Sequence, residues 1–374
     1  MQYRLRFLSP ALPMTPKTPA LLLAAALLPA SASSAASNWS FTPSGVFQHD
    51  YTDYRLRGGG SDGADGARRS RLGLRARHAS GLELRGEWDF ASGAATDLFA
   101  ELPLGGGRLR LGQYKQPFSL EELGSSRDLV LLERSQVHDA STIGRRVGVM
   151  WTQPIAGLQL QASAFAGNAE QVSGSAGTAL RLVRTARPDM HLGVALAYEQ
   201  REDERLRLRA RPESRLLPLT PLDVGNFREV DSSLRIGTEA AWLRGSWLVQ
   251  GEAFALRGQR RGADPDGAGA YLQASWLSGG HARSLRDGSL RKPAFEPGQR
   301  AWELSARLGR VEFDLGDDAL GTQTQLGIGA AFYVGPHWQF ALEHSEYRAE
   351  QTALAPRPGD YRGRFNSLRA QFSF

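Results

Sequence analysis

Arginine at every second position is the chemistry this sequence offers most plainly. Arg69, Arg71, Arg75 and Arg77 share one parity of the run RSRLGLRAR, and Arg108 and Arg110 repeat the pattern in RLRLGQYK. In an extended chain alternate side chains share a face. Each run therefore sets a row of guanidinium groups opposite a row of small or apolar residues. A guanidinium keeps its proton throughout the useful pH range, and its planar fork pairs with oxyanions. Such rows select anions where they line a pore. The alternative is structural: the same arginines neutralise interior acids such as Glu83, Glu87, Glu252 and Glu343 across strands.

Other chemistries find little support. The chain has no Cys, so disulfides and thiolate metal sites are excluded. Its seven His residues form no metal-type pair with a third ligand nearby, and no cofactor or metal is expected. The segment GGGSDGADG at 58–66 lacks the Gly-Lys-Ser/Thr and following helix of a phosphate loop. It reads as an exposed polar loop, with Asp62 and Asp65 as weak calcium ligands at best. No acid, base and nucleophile constellation marks an enzyme. The formal charge of +6 and pI near 9.8 come from arginines interleaved with 39 acids. Nucleic-acid binders concentrate their basic residues in a patch or tail, so nucleic acid is not an expected partner.

The elements that would position the arginines are short strands. Beyond Trp39 the chain is a series of alternating runs separated by Gly, Pro, Asp and Asn. They predict strands at 41–54, 67–78, 81–90, 97–104, 108–115, 145–153, 157–166, 177–186, 190–200, 233–244, 246–257, 267–277, 300–313, 322–333, 336–347 and 363–374. Sixteen is an even number, as a closed antiparallel transmembrane β-barrel requires, and the fold class is all-β. An eighteen-strand alternative makes a further hairpin around Leu206, Leu208 and Ala210. Mean hydropathy of −0.36 does not oppose a barrel, because only every second residue meets lipid.

Residues 1–36 read as a signal peptide. Arg4, Arg6 and Lys17 precede the apolar run Ala20–Ala30, and small residues follow. Eleven residues fall short of the ~20 that a spanning helix needs. Losing the three basic residues lowers the formal charge from +6 to +3. The barrel domain is then 37–374. Its last strand ends on Phe374, a terminal aromatic suited to the girdle and to the outer-membrane assembly machinery. Outer-membrane lipids are the other expected partner.

One insertion breaks the alternation. After Pro117 the stretch to Arg134 has no period of two, since proline cannot continue a ladder. Ser119 followed by Glu122 resembles a capping box, with Leu120, Leu123, Leu129 and Leu132 as one helical face. Most hairpin loops run two to five residues, far fewer than 116–144.

The motif GQYKQPFSLEELGSSRD…ER in this stretch resembles the pore-constricting loop of the phosphate-selective porin O and P family. Asp50–Tyr54 with Arg68–Arg69 and Arg71–Leu74, RPES at 211–214, AYLQASWL at 270–277, AWELSAR at 301–307 and the ending NSLRAQFSF resemble further blocks in order. The resemblance covers most of 37–374 and implies an outer-membrane, homotrimeric channel for small anions, phosphate or related oxyanions, with 116–144 folded inward. Porins for polyphosphate, organic anions or mixed solutes are the alternative, and a barrel hydrolase a more distant one. Ser125 and Ser126 match the family's paired serines, and Arg127 adds charge beside them. Arg68 and Arg69 match its arginine pair, although strict alternation lets only one face the lumen. Glu121 and Glu122 stand where phosphate-specific relatives carry Lys, so Glu122 is expected to repel phosphate and Glu122→Lys to strengthen phosphate block. Glu133 and Arg134 read as a structural pair anchoring the loop.

Strand parity puts 55–66, 91–96, 116–144, 167–176, 201–232, 258–266, 314–321 and 348–362 outside, with short periplasmic turns between the other strands. The long segment 278–299 falls on the periplasmic side. The resemblance implies that it enters the lumen from that end.

Overall fold

The computed structural model describes residues 38–56, 61–169, 175–184, 187–217 and 219–374. The signal-peptide segment lies outside the described residues. Nine strands come first: β1 (Trp39–Leu56), β2 (Ser61–His78), β3 (Glu83–Asp89), β4 (Ala94–Leu104), β5 (Gly107–Lys115), β6 (Arg145–Ile155), β7 (Leu158–Ala166), β8 (Ala176–Arg184) and β9 (Met190–Gln200). A small pair, β10 (Arg205–Ala210) and β11 (Leu222–Arg228), precedes β12 (Val230–Arg244), β13 (Trp247–Arg260) and β14 (Pro265–Leu277). A second small pair, β15 (Ser284–Arg286) and β16 (Ser289–Arg291), precedes β17 (Arg300–Leu315), β18 (Asp318–Val334), β19 (Trp338–Gln351) and β20 (Gly359–Ser373).

Sixteen of these close into an antiparallel barrel, and β1 completes the ring by pairing with β20 from Val46↔Ser373 to Leu56↔Gly363. The alternation behind the strand assignment is visible in β17. Ala301, Glu303 and Arg307 are buried inside, while Trp302, Leu304 and Leu308 are exposed outward. Lipid would cover that outward row. Near the end that holds both barrel termini, Trp302 packs on Phe332 at 4.6 Å and Trp338 on Phe372 at 4.9 Å. These rings form an interfacial girdle. That end is the periplasmic one by the rule of short periplasmic turns.

All sixteen expected strands are present. The eighteen-strand alternative is corrected: β10 and β11 pair only with each other. They lie in the connection between β9 and β12, where Leu206, Leu208 and Leu222 join one apolar cluster with Leu256, Phe313 and Leu320 of the wall. The segment expected as an outer loop therefore lines the inside of the upper barrel. Several strands also run further outward than the sequence suggested. Ser61–Gly66, read as part of a Gly-rich loop, is paired with β1, and Tyr54 donates to Asp62 at 3.3 Å.

The segment 278–299 enters from the periplasmic end as expected. Leu290 of β16 packs with Leu120 and Val130 of the 116–144 insertion and with Ala241, Leu243 and Leu248 of the wall.

Candidate functional site

The insertion 116–144 lies inside the barrel. Its helical content is smaller than the capping signal suggested. It holds one turn, α1 (Leu120–Leu123), and a second short helix, α2 (Gln136–Ser141). Ser119 caps α1 by accepting from the Glu122 N–H at 3.1 Å. The reciprocal half of the box is missing, because the Glu122 carboxylate turns to His138 and Arg134. Glycines on the wall make room for the loop. A Cβ at Gly237 would sit 2.9 Å from the Phe118 ring, and one at Gly329 2.6 Å from Leu131.

Polar anchors then fix the loop along its length. Glu252 accepts the Leu120 and Glu121 N–H groups at 2.9 Å each, and Glu343 accepts from Leu132 at 3.0 Å. The structural alternative had both acids neutralising arginines; they instead hold backbone amides. Glu133 is the centre of the largest cluster. Arg68 grips its carboxylate with two hydrogen bonds at 2.8 and 2.9 Å, Arg69 with two at 3.2 and 2.9 Å, and Arg369 adds one at 2.7 Å. Burial opposes the charge on Glu133, yet Arg69, Arg68, Arg369 and Arg215 hold its carboxyl well below the usual range. Arg307 joins Glu121 at 2.8 Å to Glu213 at 2.9 Å, which ties the loop and the RPES segment to β17. From the periplasmic segment, Arg283 binds Glu303 and donates to the carbonyls of Asp128 at 2.6 Å and Leu129 at 3.1 Å.

What remains open is the wall of β2 to β6. Arg71 binds Asp89 at 2.7 Å, and Arg75 and Arg77 share Glu83 at 3.3 and 2.7 Å. Arg85 lies 3.3 Å from Asp97, which also takes Arg145 at 2.8 Å. Arg108 and Arg110 both pair with Glu101, and Arg110 lies 4.2 Å over the Phe99 ring. The side chains of Arg75 and Arg108 keep 39% and 40% of their surface exposed, against 0% for Arg283 and 1% for Arg307. With Glu87 included, seven arginines meet five carboxylates on this face, a local excess of two positive charges.

A sixteen-stranded closed barrel with an inserted loop is matched by many solved structures. An outer membrane protein of Vibrio cholerae, OmpT, aligns with a TM-score of 0.64 at 10% identity, over 90% of this chain and 98% of its own. An anion-selective porin from Comamonas acidovorans aligns at 0.57 with 15% identity, over 90% and 100%. The outer membrane channel DcaP of Acinetobacter baumannii aligns at 0.56 with 12% identity, over 90% and 98%. At these identities the likeness is one of fold. No curated protein matches the chain. The model of the phosphate-selective porin O and P family matches residues 41–374, nearly the whole chain. The chain belongs to that family. It is a porin, a channel of the bacterial outer membrane.

The porin distributes the arginines and serines singled out in the sequence between two roles. Arg71, Arg75, Arg108 and Arg110 line the open wall. Arg68 and Arg69 do not, since both are spent on Glu133, and Arg69 is only 3% exposed. The expectation that only one of the two can face inward is also corrected. Gln48 pairs with Arg69 and His49 with Ala67, so Arg68 is the extra residue of a β-bulge. A bulge lets two successive side chains reach the same side. Ser126 is buried, its hydroxyl 3.4 Å from Arg71 and its carbonyl 3.3 Å from Gln48. Ser125 is half-buried, and its hydroxyl accepts from the Arg127 N–H at 3.5 Å. Arg127 reaches the Phe374 carbonyl at 3.2 Å.

Glu122 is not the repelling charge the sequence suggested. It is buried 2.5 Å from His138 and 3.4 Å from Arg134. Burial works against its ionised form, but Arg134, Lys115 and His138 hold the carboxyl well below its ordinary range. Glu133 and Arg134 do anchor the loop, each through its own partners: Arg134 donates to the carbonyls of Glu121 and Gly124 at 2.9 Å. Sequence reading missed Arg85 and Arg145 as lining residues. Arg85 shares its parity with Glu83, Glu87 and Asp89 and reads as one charge among acids; only Asp97 of β4, shared with Arg145 of β6, reveals that it belongs to the arginine wall.

Proposed function

We propose that the porin passes small anions by passive diffusion, with phosphate and related oxyanions as the solutes its wall suits. The observation that carries this reading is the arginine excess on the open face of β2 to β6, beside a loop whose acids are paired inward. Fixed guanidinium groups in a lumen replace part of an anion's hydration and exclude cations by their field. The trimer form among the structural neighbours supports a homotrimer for this chain as well. Recording single channels of the purified protein across a KCl gradient gives the test. A reversal potential on the chloride side supports the reading, and one on the potassium side refutes it.

The placement of the serines favours a second, broader reading of selectivity. Ser126 is buried against Gln48 and Arg71, so it does not present a free hydroxyl to the path. Every arginine of the open wall also has a carboxylate partner. Oxyanions as a class would pass without a tight phosphate seat, and phosphate would block chloride current only weakly. Titrating phosphate into the chloride bath separates the two.

A further inference from the structure

One joint of the ring has no chain across it. Every other pair of neighbouring barrel strands is linked by a turn or a longer segment, but β1 and β20 stand at opposite ends of the domain. Closing a loop costs more conformational entropy the longer it is, so this seam is the costliest joint to form. Its inward rungs are Gln48 opposite Gln371, Asp50 opposite Arg369, Thr52 opposite Ser367 and Tyr54 opposite Phe365.

An inserted segment touches every one of these rungs. Gln48 donates to Gln371, and the two amides also donate to the carbonyls of Ser126 and Arg127 at 3.3 Å each. Arg369 grips Asp50 with two hydrogen bonds of 2.6 Å, and donates to the Leu132 carbonyl and, at 2.7 Å, to Glu133. Thr52 lies 2.8 Å from Ser367 and 3.2 Å from Ser214. Leu217 packs with Phe365 and Tyr54. Below the rungs Arg127 reaches the Phe374 carbonyl at 3.2 Å, and Lys292 donates to the Ser373 hydroxyl at 3.0 Å. From the periplasmic end upward, 126–133 and then 214–217 form a strap along the seam.

Charge makes strap and seam depend on each other. Asp50, Arg369 and Glu133 are 4%, 6% and 3% exposed. A charge this dry is severely destabilising when it lacks its partner. With the seam open, Asp50 of β1 loses Arg369 of β20, its one ion-pair partner among the described residues. With the strap absent, Arg369 keeps Asp50 but loses Glu133 and the Leu132 carbonyl. The cluster is complete only when β1, β20 and the insertion have come together.

We infer that the segments 116–144 and 211–217 lock the β1–β20 seam, so that placing the constriction and closing the ring are one cooperative step. The lock is independent of which solute the pore passes. A chain without it does not become a wider, steady pore; its seam frays.

The test uses the full-length porin purified in detergent. Arg127→Ala/Ser214→Ala strips strap contacts and leaves the four rungs intact. Amide hydrogen exchange should then rise on the order of tenfold on β1 and β20, the scale of one lost charge-assisted hydrogen bond, and stay unchanged on β3 and β4. Asp50→Asn/Arg369→Met opens the seam further without stranding a charge, because Glu133 keeps Arg68 and Arg69. It should lose heat-stable migration in gels. The chain has no Cys, so single disulfides can be placed cleanly. An oxidised Tyr51→Cys/Leu368→Cys pair, direct register partners on the outer face of the seam, should restore the stable form. Ala330→Cys/Leu342→Cys, the same bond placed between β18 and β19, should not. Unchanged exchange at the seam, or an equal rise on β3 and β4, would overturn the proposal. So would equal rescue by the two disulfides, or no rescue by the seam pair.

Discussion

The two sides of the lumen use the same residue types to opposite ends. On β12 to β20 and the outer part of β1, arginines such as Arg307 and Arg369 are almost wholly buried and bind the inserted segments. On β2 to β6, Arg68 and Arg69 apart, they keep part of their surface in water and pair with carboxylates of neighbouring strands. Burial decides the difference. A charge that is dry must be fully paired, and removing its partner is severe. A charge on a wet wall is loosely paired, contributes little to stability, and stays available to a passing ion. Arginine content alone therefore says little about conduction; what covers each arginine says a great deal.

The sharpest way to break this contrast is on the covered side. Arg307→Met leaves Glu121 and Glu213 buried without their cation, a loss of about 3–5 kcal/mol for such pairs. The 116–144 and 211–217 segments should detach from β17, giving larger and noisier single-channel currents and a lower unfolding temperature in heat-modifiability gels. A variant with the parent's conductance and stability would show that the covered side does not shape the pore.

Glu122→Lys comes next. From the sequence alone it promised tighter phosphate block; in the folded chain it puts a cation against Lys115, Arg134 and His138. The expected outcome is a disordered constriction with flickering conductance and no gain in phosphate block. Stronger block with steady conductance would mean that the side chain swings into the path.

A selective effect without a structural one should follow on the open side. Arg75→Ala/Arg108→Ala should lower the chloride-to-potassium permeability ratio several-fold, while stability changes by no more than about 1 kcal/mol per pair, since both arginines keep about two fifths of their side chains exposed. Arg69→Ala, which sequence parity puts in the same row, should instead behave as a covered-side change. If Arg69→Ala shifts selectivity with stability intact, the division drawn between the two sides fails.

These contrasts also explain what the sequence could reveal. The strand count was legible because an alternating face must match lipid on one side and water on the other. Leu368, Ala370 and Phe372 against Arg369 and Gln371 allow no other register. The constriction was legible because Pro117 ends that alternation. The bulge at Arg68 was not, since one extra residue leaves no mark in composition. Nor was the inward fold of β10 and β11, whose Leu206 and Leu208 alternate with arginines as an ordinary wall strand would. Which arginines are dry depends on segments far away in the chain, such as Glu133 above Arg68 and Arg69, and no local pattern carries that.

The smallest expected effect is that of pH, and it separates anchors within the covered side. Glu133 and Glu122 have carboxyls held below their ordinary values despite burial, by the arginines that grip them. A depressed acid contributes stability that is present above its unfolded pKa, near 4.3, and is lost as pH falls through the folded value. Glu213 behaves in the opposite sense. Burial, with Glu121 adding to it, outweighs Arg307 and raises its carboxyl above the usual range. Its contribution is therefore present below the unfolded pKa and lost as pH rises through the folded value. The Glu133 and Glu122 anchors should consequently hold from about pH 8 to 5, where both carboxyls remain ionised. Below about pH 4 the anchors should begin to fail, and flicker should appear before the barrel itself unfolds, because the wall's backbone ladder does not titrate. Glu133→Gln, which removes the charge and keeps the shape, should show that flicker already at neutral pH. Glu213→Gln should not. If both variants flicker alike at pH 7, the two acids are equivalent anchors and the opposed directions assigned to them have no functional meaning.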